Sequence, residues 1–282
     1  MANVVRAALV QCEWTGDKES MVAKNVEYAR QAANDGAQIL CFQEIFNSPY
    51  FCNKQDSQYL GEAEPVPDGP TVTRMMELAK ETEMAIIVPL FEKEDSGFFY
   101  NSAAVIERDG TYLGKYRNTH IPHEEGFWEK YYFRPGNMGY PSFDMSVGRV
   151  GVYICYDRHF PEGWRALALN GAEYIVNPSA TVAGLSKYLW ELEQPASAAA
   201  NGVFIGAINR VGTEEPWAEQ MGEFYGSSYI VNPRGAIEAQ ASYGDDELLV
   251  HEIDLDMLRE VRNTGQFFRD RRPETYGPLT DS

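Results

Sequence analysis

The stretch Arg149–Gly171, RVGVYICYDRHFPEGWRALALNG, predicts a short apolar strand, a sharp turn and a helix. The strand covers Arg149–Ile154, and the helix begins at Pro161 and ends before Gly171. Cys155 lies in the turn, at the end of the strand and near the positive end of the helix dipole. That setting lowers the pKa of a thiol and favours the nucleophilic thiolate. A lone thiol after an apolar strand is also typical of a buried core cysteine, so other residues must decide between the two readings.

Strand and helix patterns alternate along the rest of the chain. Apolar residues at helical spacing predict helices over Met21–Asn34, Pro70–Glu83 and Lys187–Asn201. The predicted strands are Val5–Gln11, Gln38–Phe42, Ala85–Phe91, Ser102–Glu107, Thr111–Tyr116, Tyr174–Val176, Val203–Ile208, Tyr229–Val231, Ala236–Ala241 and Leu248–Ile253. A polar tail follows from Asp254. Since no linker or repeat divides the series, we predict one α/β domain over residues 1–282, with helices outside and sheet inside.

Composition and charge exclude several classes of partner. The formal net charge of −18 repels phosphate backbones, which argues against nucleic acids and anionic membranes. No apolar run is long enough to cross a bilayer, and the N-terminal residues predict a first strand rather than a signal peptide. The four cysteines show no CxxC pair and are typical of reduced thiols. We therefore expect a soluble, cytoplasmic protein.

Three further polar residues are candidates for chemistry. Glu44 directly follows a predicted buried strand, and strand ends are where active sites assemble in α/β folds. Lys115 lies on the exit strand of a predicted hairpin. Glu129 lies in the aromatic segment GFWEKYYF, where desolvation raises the pKa of a carboxyl group. Taken singly, each is equally well read as a solvated strand-end acid, a surface lysine or an exposed loop acid.

Taken together, these residues resemble a known family. The strand that ends in Glu44, the segment 114–122 (GKYRNTHIP), Glu129 and the turn 155–161 (CYDRHFP) follow one another in a specific order. In that order and spacing they resemble the nitrilase (carbon–nitrogen hydrolase) superfamily across essentially the whole chain. The resemblance implies a four-layer αββα sandwich that forms a homodimer or a higher homo-oligomer. It also implies that the C-terminal tail, residues 254–282, lies at the dimer interface.

Other segments resemble the β-ureidopropionase group within this superfamily. They are residues 177–181 (NPSAT), 207–214 (AINRVGTE) and 224–229 (FYGSSY), although the segment between Glu214 and Phe224 is short. The resemblance implies hydrolysis of N-carbamoyl-β-alanine, or a similar N-carbamoyl amino acid, to the amino acid, ammonia and carbon dioxide. The partner would be a small N-carbamoyl or amide substrate.

The resemblance also implies roles for individual residues. Glu44 would be the general base, Cys155 the nucleophile, and Glu129 would orient the substrate nitrogen or hold Lys115. Lys115 and the backbone N–H of Tyr156 would stabilise the oxyanion. No cofactor and no metal is required.

Three residues are expected to bind the substrate: Arg158, Asn177 and Ser179. The guanidinium of Arg158 is suited to a substrate carboxylate, whereas the alternative for Arg158 is an ion pair with Asp157 or Glu162.

Other functions stay open at this point. They are hydrolysis of N-carbamoylputrescine, of an N-carbamoyl-D-amino acid or of an ω-amide, a catalytically inactive scaffold, and a thiol redox sensor in which Cys52 lies near Cys155.

Overall fold

The computed structural model describes residues 3–215, 219 and 222–280 of the chain. In chain order its strands are β1 (Val4–Gln11), β2 (Ile39–Cys41), β3 (Ala85–Lys93), β4 (Phe99–Ile106), β5 (Tyr112–Arg117), β6 (Ser142–Met145), β7 (Gly148–Val152), β8 (Tyr174–Pro178), β9 (Phe204–Ile208), β10 (Val211–Gly212), β11 (Phe224–Tyr225), β12 (Tyr229–Val231), β13 (Ile237–Gln240) and β14 (Glu247–Asp254). The helices are α1 (Lys18–Asn34), α2 (Pro70–Thr82), α3 (Pro161–Leu169), α4 (Leu185–Asn201) and α5 (Asp256–Gly265). Short 3₁₀ turns cover Phe51–Asn53, Ser57–Glu62, Glu129–Tyr131, Cys155–His159, Pro273–Thr275 and Gly277–Leu279.

Within the described residues the larger strands form two six-stranded sheets. The first has the order β14-β1-β2-β3-β4-β5, and the second has the order β13-β12-β9-β8-β7-β6. Each sheet has a parallel centre, β1-β2-β3 in the first and β7-β8-β9 in the second, flanked by antiparallel strands. This mixture agrees with the predicted hairpin that carries Lys115, which a purely parallel sheet would not contain.

The side chains of β1 show how the layers form. Ala7 and Leu9 point between the two sheets and belong to the same apolar cluster as Ile205 of β9. Ala8 and Val10 point to the other face, where they pack with residues of α1 and α2. On the far side of the second sheet, α3 and α4 bury their tryptophan side chains in the core. The order helices, sheet, sheet, helices confirms the predicted αββα sandwich.

Local signals explain most element boundaries. The carboxylate of Asp17 accepts a hydrogen bond from the backbone N of Ser20 at 2.9 Å, so α1 begins at Lys18, before the predicted Met21. Proline stands at the first turn of both α2 and α3, as predicted. Four elements are additional to the prediction. Three are the short strands β6, β10 and β11, and the fourth is α5, which forms from part of the predicted polar tail and buries Leu258 against the core.

The strand ends gather the polar residues at one edge of the sandwich. Glu44 follows β2, Cys155 follows β7, and Arg210 follows β9. Because β7, β8 and β9 are parallel, the residues that follow them meet at the same edge of the second sheet. Among the described residues, no helix is both long and apolar enough to cross a membrane.

Candidate active site

Cys155 lies in a turn of unusual backbone geometry. Strand β7 ends at Val152, the 3₁₀ turn Cys155–His159 follows, and Pro161 begins α3. Cys155 has a φ of 44°, a left-handed conformation that residues other than glycine seldom adopt. Such a conformation costs about 1–3 kcal/mol and persists only where the surroundings impose it. The turn is therefore built to aim this side chain.

Burial disfavours the thiolate form of Cys155. Burial raises the pKa of Cys155 well above its ordinary value, the charge of Glu44 raises it further, and Arg158 lowers it. The sequence predicts a thiol pKa lowered by the helix N-terminus, and this prediction is wrong. Removing a thiolate from water costs more than the helix dipole returns. A reaction through this thiol would need a base that removes its proton.

Asp157 holds the turn in place. It is fully buried, and its carboxylate accepts hydrogen bonds from the backbone N of Ile154 at 3.2 Å and of His120 at 2.9 Å. The hydroxyl of Tyr116 donates to the same carboxylate at 2.7 Å. Asp157 thus ties the Cys155 turn to the segment after β5, in the other sheet. These bonds compensate the strain at Cys155.

Glu44 is the acid placed beside the thiol. Its Oε1 accepts a hydrogen bond from Asn101 Nδ2 at 2.6 Å, whereas its buried Oε2 has no partner of hydrogen-bond geometry among the described residues. Burial raises the pKa of Glu44 to about 7, although the adjacent Cys155 and Asn101 and the charge of Arg210 lower it. A carboxyl group with this pKa exchanges protons near neutral pH, as a general base must.

Glu129 is the second buried acid of the site. Its Oε1 accepts a hydrogen bond from the hydroxyl of Tyr50 at 2.6 Å, and its Oε2 has no hydrogen-bond partner in the described part of the chain. Burial and the nearby charge of Glu44 raise the pKa of Glu129 well above its ordinary value. Two neighbouring buried carboxylates cannot easily both be ionised, so Glu129 is the one that stays protonated.

Arg158 is a buried cation whose polar contacts are all long. Its Nη1 lies 3.8 Å from Cys155 Sγ, and its Nη2 lies 3.4 Å from the hydroxyl oxygens of Thr181 and Ser186. Its Nε is buried without a hydrogen-bond partner among the described residues. A buried guanidinium normally has short, well-directed partners. Arg158 therefore has capacity for a further anionic group.

The ion-pair alternative for Arg158 involves different residues from those considered in the sequence. Within the described residues its carboxylate neighbour is Glu193, at 3.9 Å from Nε, rather than Asp157 or Glu162. Glu193 makes a shorter contact with His159, at 2.8 Å. The pairing of Arg158 with Glu193 is thus loose.

These side chains surround a cavity of about 180 Å³. It is lined by Pro122, Glu124, Phe127, Glu129, Cys155, Tyr156, Arg158, His159, Ala180, Thr181, Ser186 and Leu189. The sulfur of Cys155, the acids Glu124 and Glu129 and the cation Arg158 line the same small volume, which suits a compact polar ligand. Tyr156 lies on this wall, and the role of its backbone N–H as an oxyanion donor stays a prediction.

Lys115 does not line this cavity. Its Nζ donates to Glu92 Oε1 at 2.5 Å and to the backbone oxygen of Val66 at 3.2 Å. Successive residues of a strand point to opposite faces of the sheet, and Tyr116 points between the sheets, towards Asp157. Lys115 therefore points to the face covered by helices. The sequence-based role of Lys115 as an oxyanion donor is corrected on this ground.

Asn177 and Ser179 lie beneath the turn rather than on the cavity wall. Both are fully buried. Asn177 Nδ2 donates to the backbone oxygen of Tyr153, and Ser179 Oγ donates to Asn177 Oδ1 at 3.0 Å. Their polar groups are thus used to support the backbone just before Cys155. This placement corrects their expected role in binding the substrate.

Several residues of the site have no distinctive signal in the sequence. Asn118 lies within the motif GKYRNTHIP, and its Nδ2 donates to the backbone oxygen of Ile154 at 3.0 Å. Asn101 contacts Glu44 across 57 positions of sequence. Arg210 follows β9 and contacts the backbone of Glu44. A polar residue that closely follows a strand could have suggested Asn118 and Arg210, whereas Asn101 lies within β4 and has no such signal.

The described residues contain no obvious metal-binding site. In residues 3–215, 219 and 222–280, no group of three or more His, Cys, Asp or Glu side chains is placed to hold a metal ion. Residues 120–123 (HIPH) contain two histidines. The first of them, His120, contacts Asp157 through Nδ1 at 2.7 Å. That no metal or cofactor is used stays a prediction.

Known proteins resemble this chain over nearly its full length. Residues 6–263 match the family described as carbon-nitrogen hydrolase. An N-carbamoylputrescine amidase of Solanum lycopersicum is 39% identical over 98% of this chain and 95% of its own length. A beta-ureidopropionase of Arabidopsis thaliana is 38% identical over 86% of this chain and 63% of its own. The crystal structure of a carbon-nitrogen hydrolase from Helicobacter pylori G27 superimposes with a TM-score of 0.93, at 34% identity over 99% of both chains.

Proposed function

The chain belongs to the carbon–nitrogen hydrolase family and is a hydrolase of non-peptide C–N bonds, and from this premise we propose that it cleaves the N-carbamoyl group of a small amino acid. Cys155 is the nucleophile and Glu44 is the base. The products are the free amino acid, ammonia and carbon dioxide. The loosely paired, buried Arg158 beside the sulfur is the observation that carries the choice of an anionic substrate.

The pKa values define the first step. Since the pKa of Glu44 is raised by burial to about 7 and that of Cys155 lies well above its ordinary value, a free thiolate is unfavourable at rest. The proton therefore moves from Sγ to Glu44 while sulfur attacks the carbamoyl carbon. The carbonyl oxygen becomes an oxyanion, for which the backbone N–H of Tyr156 is our proposed donor.

The remaining steps return the proton and the enzyme. As the tetrahedral intermediate collapses, the C–N bond to the amino acid breaks and Glu44 gives its proton to the departing nitrogen. The carbamoyl group stays on Cys155 as an S-carbamoyl adduct. Glu44 then takes a proton from water while the water oxygen attacks the same carbon, and the proton returns to sulfur as the C–S bond breaks. The released carbamic acid decomposes to ammonia and carbon dioxide.

Glu129 contributes as a neutral acid. It lines the cavity, and its Oε2 is buried without a partner among the described residues. Because its pKa is raised by burial and by the charge of Glu44, it can donate and accept hydrogen bonds without adding a second negative charge. We assign it to orienting the nitrogen of the substrate, with Tyr50 fixing its other oxygen.

The surroundings of Arg158 support a substrate that carries a carboxylate. A carboxylate can accept two parallel hydrogen bonds from a guanidinium, which complements an arginine whose own contacts are at 3.4 Å or more. Nη1 is 3.8 Å from the sulfur, so the carboxylate and the reacting carbon would be separated by only a few bonds. An N-carbamoyl-β-amino acid has that form.

A second candidate substrate is N-carbamoylputrescine, and one feature of the cavity favours it. Glu124 also lines the wall and could accept a cationic amine. The relative of Solanum lycopersicum, 39% identical to this chain, bears the name of that activity. The two candidates require opposite charges at the far end of the ligand, so charge-removing variants separate them.

The test compares hydrolysis of N-carbamoyl-β-alanine, N-carbamoylputrescine and an ω-amide by the wild type, Arg158→Gln and Glu124→Gln. A lost hydrogen-bonded charge contact is worth about 1.5–3 kcal/mol, so Arg158→Gln should lower kcat/KM for N-carbamoyl-β-alanine roughly 10- to 100-fold. Glu124→Gln should leave that value near wild type. Equal rates of Arg158→Gln and wild type on N-carbamoyl-β-alanine would exclude the carboxylate clamp, and selective loss of N-carbamoylputrescine turnover in Glu124→Gln would favour the second candidate.

A further inference from the structure

We infer that Arg210, paired with Glu214, is the positioning residue that sets the geometry of Glu44. This inference rests on the proposed function, because it concerns the base of that reaction. Arg210 is fully buried and is not among the residues that line the cavity. It acts through the backbone of Glu44 and not on the substrate.

The hydrogen bonds from the Arg210 guanidinium to backbone oxygens all go to the loop that carries Glu44. Nη2 donates to the backbone oxygens of Glu44 at 3.1 Å and of Ile45 at 2.9 Å. Nη1 donates to the backbone oxygen of Ser48 at 3.1 Å. One guanidinium thus fixes three peptide groups in a segment with no regular secondary structure. Lysine could not make this set of bonds, because it lacks the planar fork of donors.

The loop needs such support because its backbone is strained. Ile45, the residue directly after the base, has a φ of 46°. A β-branched residue in this left-handed region is a marked outlier, with a cost of about 1–3 kcal/mol. The Ile45 carbonyl is one of the groups that Arg210 holds. Without that bond, Ile45 is expected to relax to an ordinary φ, and the Glu44 side chain would turn away from Cys155.

Glu214 connects Arg210 to Glu129 through Tyr50. Its Oε1 pairs with Arg210 Nη1, and its Oε2 accepts a hydrogen bond from the backbone N of Tyr50 at 2.7 Å. The hydroxyl of Tyr50 in turn donates to Glu129 at 2.6 Å. A single buried ion pair therefore fixes the loop behind Glu44 and the residue that orients Glu129.

Charge gives the pair a second effect on the base. Burial raises the pKa of Glu44, and the charge of Arg210 is among the influences that lower it. Glu214 partly cancels that charge, because it is the carboxylate paired with Arg210. The titratable groups that face Glu44 are Cys155, Glu129, Tyr50, Cys52 and Arg210. Removing Arg210 and removing Glu214 should therefore shift the titration of Glu44 in opposite directions.

The experiment uses the full-length variants Arg210→Gln, Arg210→Lys and Glu214→Gln. The readouts are kcat, the pH dependence of kcat/KM, and the pH dependence of Cys155 alkylation by iodoacetamide, which requires no substrate. The matched control is Arg262→Gln. Arg262 also donates to backbone oxygens, those of Gly202 and Ala172, both at 3.0 Å, but it belongs to α5 and lies outside the cavity.

Each variant has a distinct expected result. Arg210→Gln should move the acidic limb of the pH profile upward by about one pH unit or more, and Glu214→Gln should move it downward. Arg210→Lys keeps the charge and loses the fork, so its limb should stay while kcat falls roughly 10- to 100-fold. Arg262→Gln should lower the melting temperature and leave both the limb and kcat unchanged.

The outcomes separate this inference from the proposed function. Limbs that do not move in Arg210→Gln and Glu214→Gln, or that move in the same direction, would overturn it. If Arg210→Gln does not fold, Glu214→Gln decides alone, and an unchanged limb there is sufficient to refute the charge effect. A wild type that hydrolyses none of the substrates would overturn the proposed function, whereas the alkylation profiles would still test the role of Arg210.

Discussion

Replacing Glu44 by glutamine should abolish activity and stabilise the fold at alkaline pH. Glutamine has the shape of glutamate and keeps an oxygen that can accept the hydrogen bond from Asn101. It removes the negative charge that the fold buries beside Cys155 and Glu129. The proposed base is thus a carboxyl group whose ionisation the folded state disfavours.

The magnitude follows from the pKa of Glu44. Burial raises this pKa from 4.5 to about 7. A carboxyl group with a raised pKa contributes stability that is fully present below pH 4.5 and is lost as the pH rises through 7. One pH unit corresponds to about 1.4 kcal/mol, so the loss reaches roughly 3 kcal/mol by pH 8.5. Glu44→Gln should avoid this loss and should also relieve Glu129 and Cys155, whose pKa values the Glu44 charge raises.

The assay is urea unfolding of both proteins at a series of pH values from 4.5 to 8.5. Glu44→Gln should match the wild type near pH 4.5 and exceed it increasingly as the pH rises. The control is Glu94→Gln. Its hydrogen bond with Arg117 lowers the pKa of Glu94, so removing that carboxylate should cost stability above pH 4.5, which is the opposite sign. A difference between Glu44→Gln and wild type that does not change with pH would refute this account of the site.

Two further predictions concern Lys115, which lies outside the cavity, and Asp157, which holds the Cys155 turn. Lys115→Met should leave kcat near wild type and lower the free energy of unfolding by about 1–3 kcal/mol, because it breaks the contact with buried Glu92; a loss of kcat beyond 100-fold in folded protein would contradict the placement of Lys115 outside the site. Asp157→Asn should lower both kcat and stability, the latter by about 2–4 kcal/mol, because a neutral amide accepts the hydrogen bonds of Tyr116 and the backbone less strongly. Unfolding in urea and initial rates measure both effects, and an Asp157→Asn enzyme with wild-type kcat would show that the turn does not depend on this carboxylate.

The sequence predicts the layered fold because its strands and helices alternate clearly and their ends have local signals. Pro70 and Pro161 mark the starts of α2 and α3, and both positions are confirmed. The predicted family is confirmed by the match over residues 6–263. Helix α5 escaped prediction because its surface is largely polar and only Leu258 is buried, so that composition alone indicates a tail.

The site is predicted in part. Glu44 and Cys155 follow β2 and β7, and Glu129 begins a 3₁₀ turn in the connection between β5 and β6, where it lies near Glu44. That these acids act as base and orienting group remains our proposal. The homo-oligomeric state and the placement of residues 254–282 at a dimer interface also stay predictions, and part of the segment between Glu214 and Phe224 lies outside the described residues.

Lys115 shows why spacing alone misplaces a side chain. In a strand, a shift of one residue moves a side chain to the opposite face of the sheet. The motif GKYRNTHIP has cationic residues at 115 and 117, with Tyr116 between them, and nothing local states which face is the inner one. The ladder with β4 settles it, since Tyr116 pairs with buried Ala103 of the inner cluster and Lys115 pairs with Ala104 of the outer one.

Burial explains both the low reactivity of the Cys155 thiol in the absence of substrate and its proposed use in catalysis. A redox sensor needs an exposed thiolate, whereas burial raises the pKa of Cys155 and keeps the sulfur protonated. Cys52 is buried as well, and its pKa is raised by the same cause. A thiol of this kind reacts only when a bound carbon is within reach and a base takes its proton in the same step. Glu44, with a pKa raised by burial to about 7, is placed to do so. In the proposed mechanism, the desolvation that destabilises the charged forms of Cys155, Glu44 and Glu129 therefore also favours a hydrolytic substrate over an oxidant.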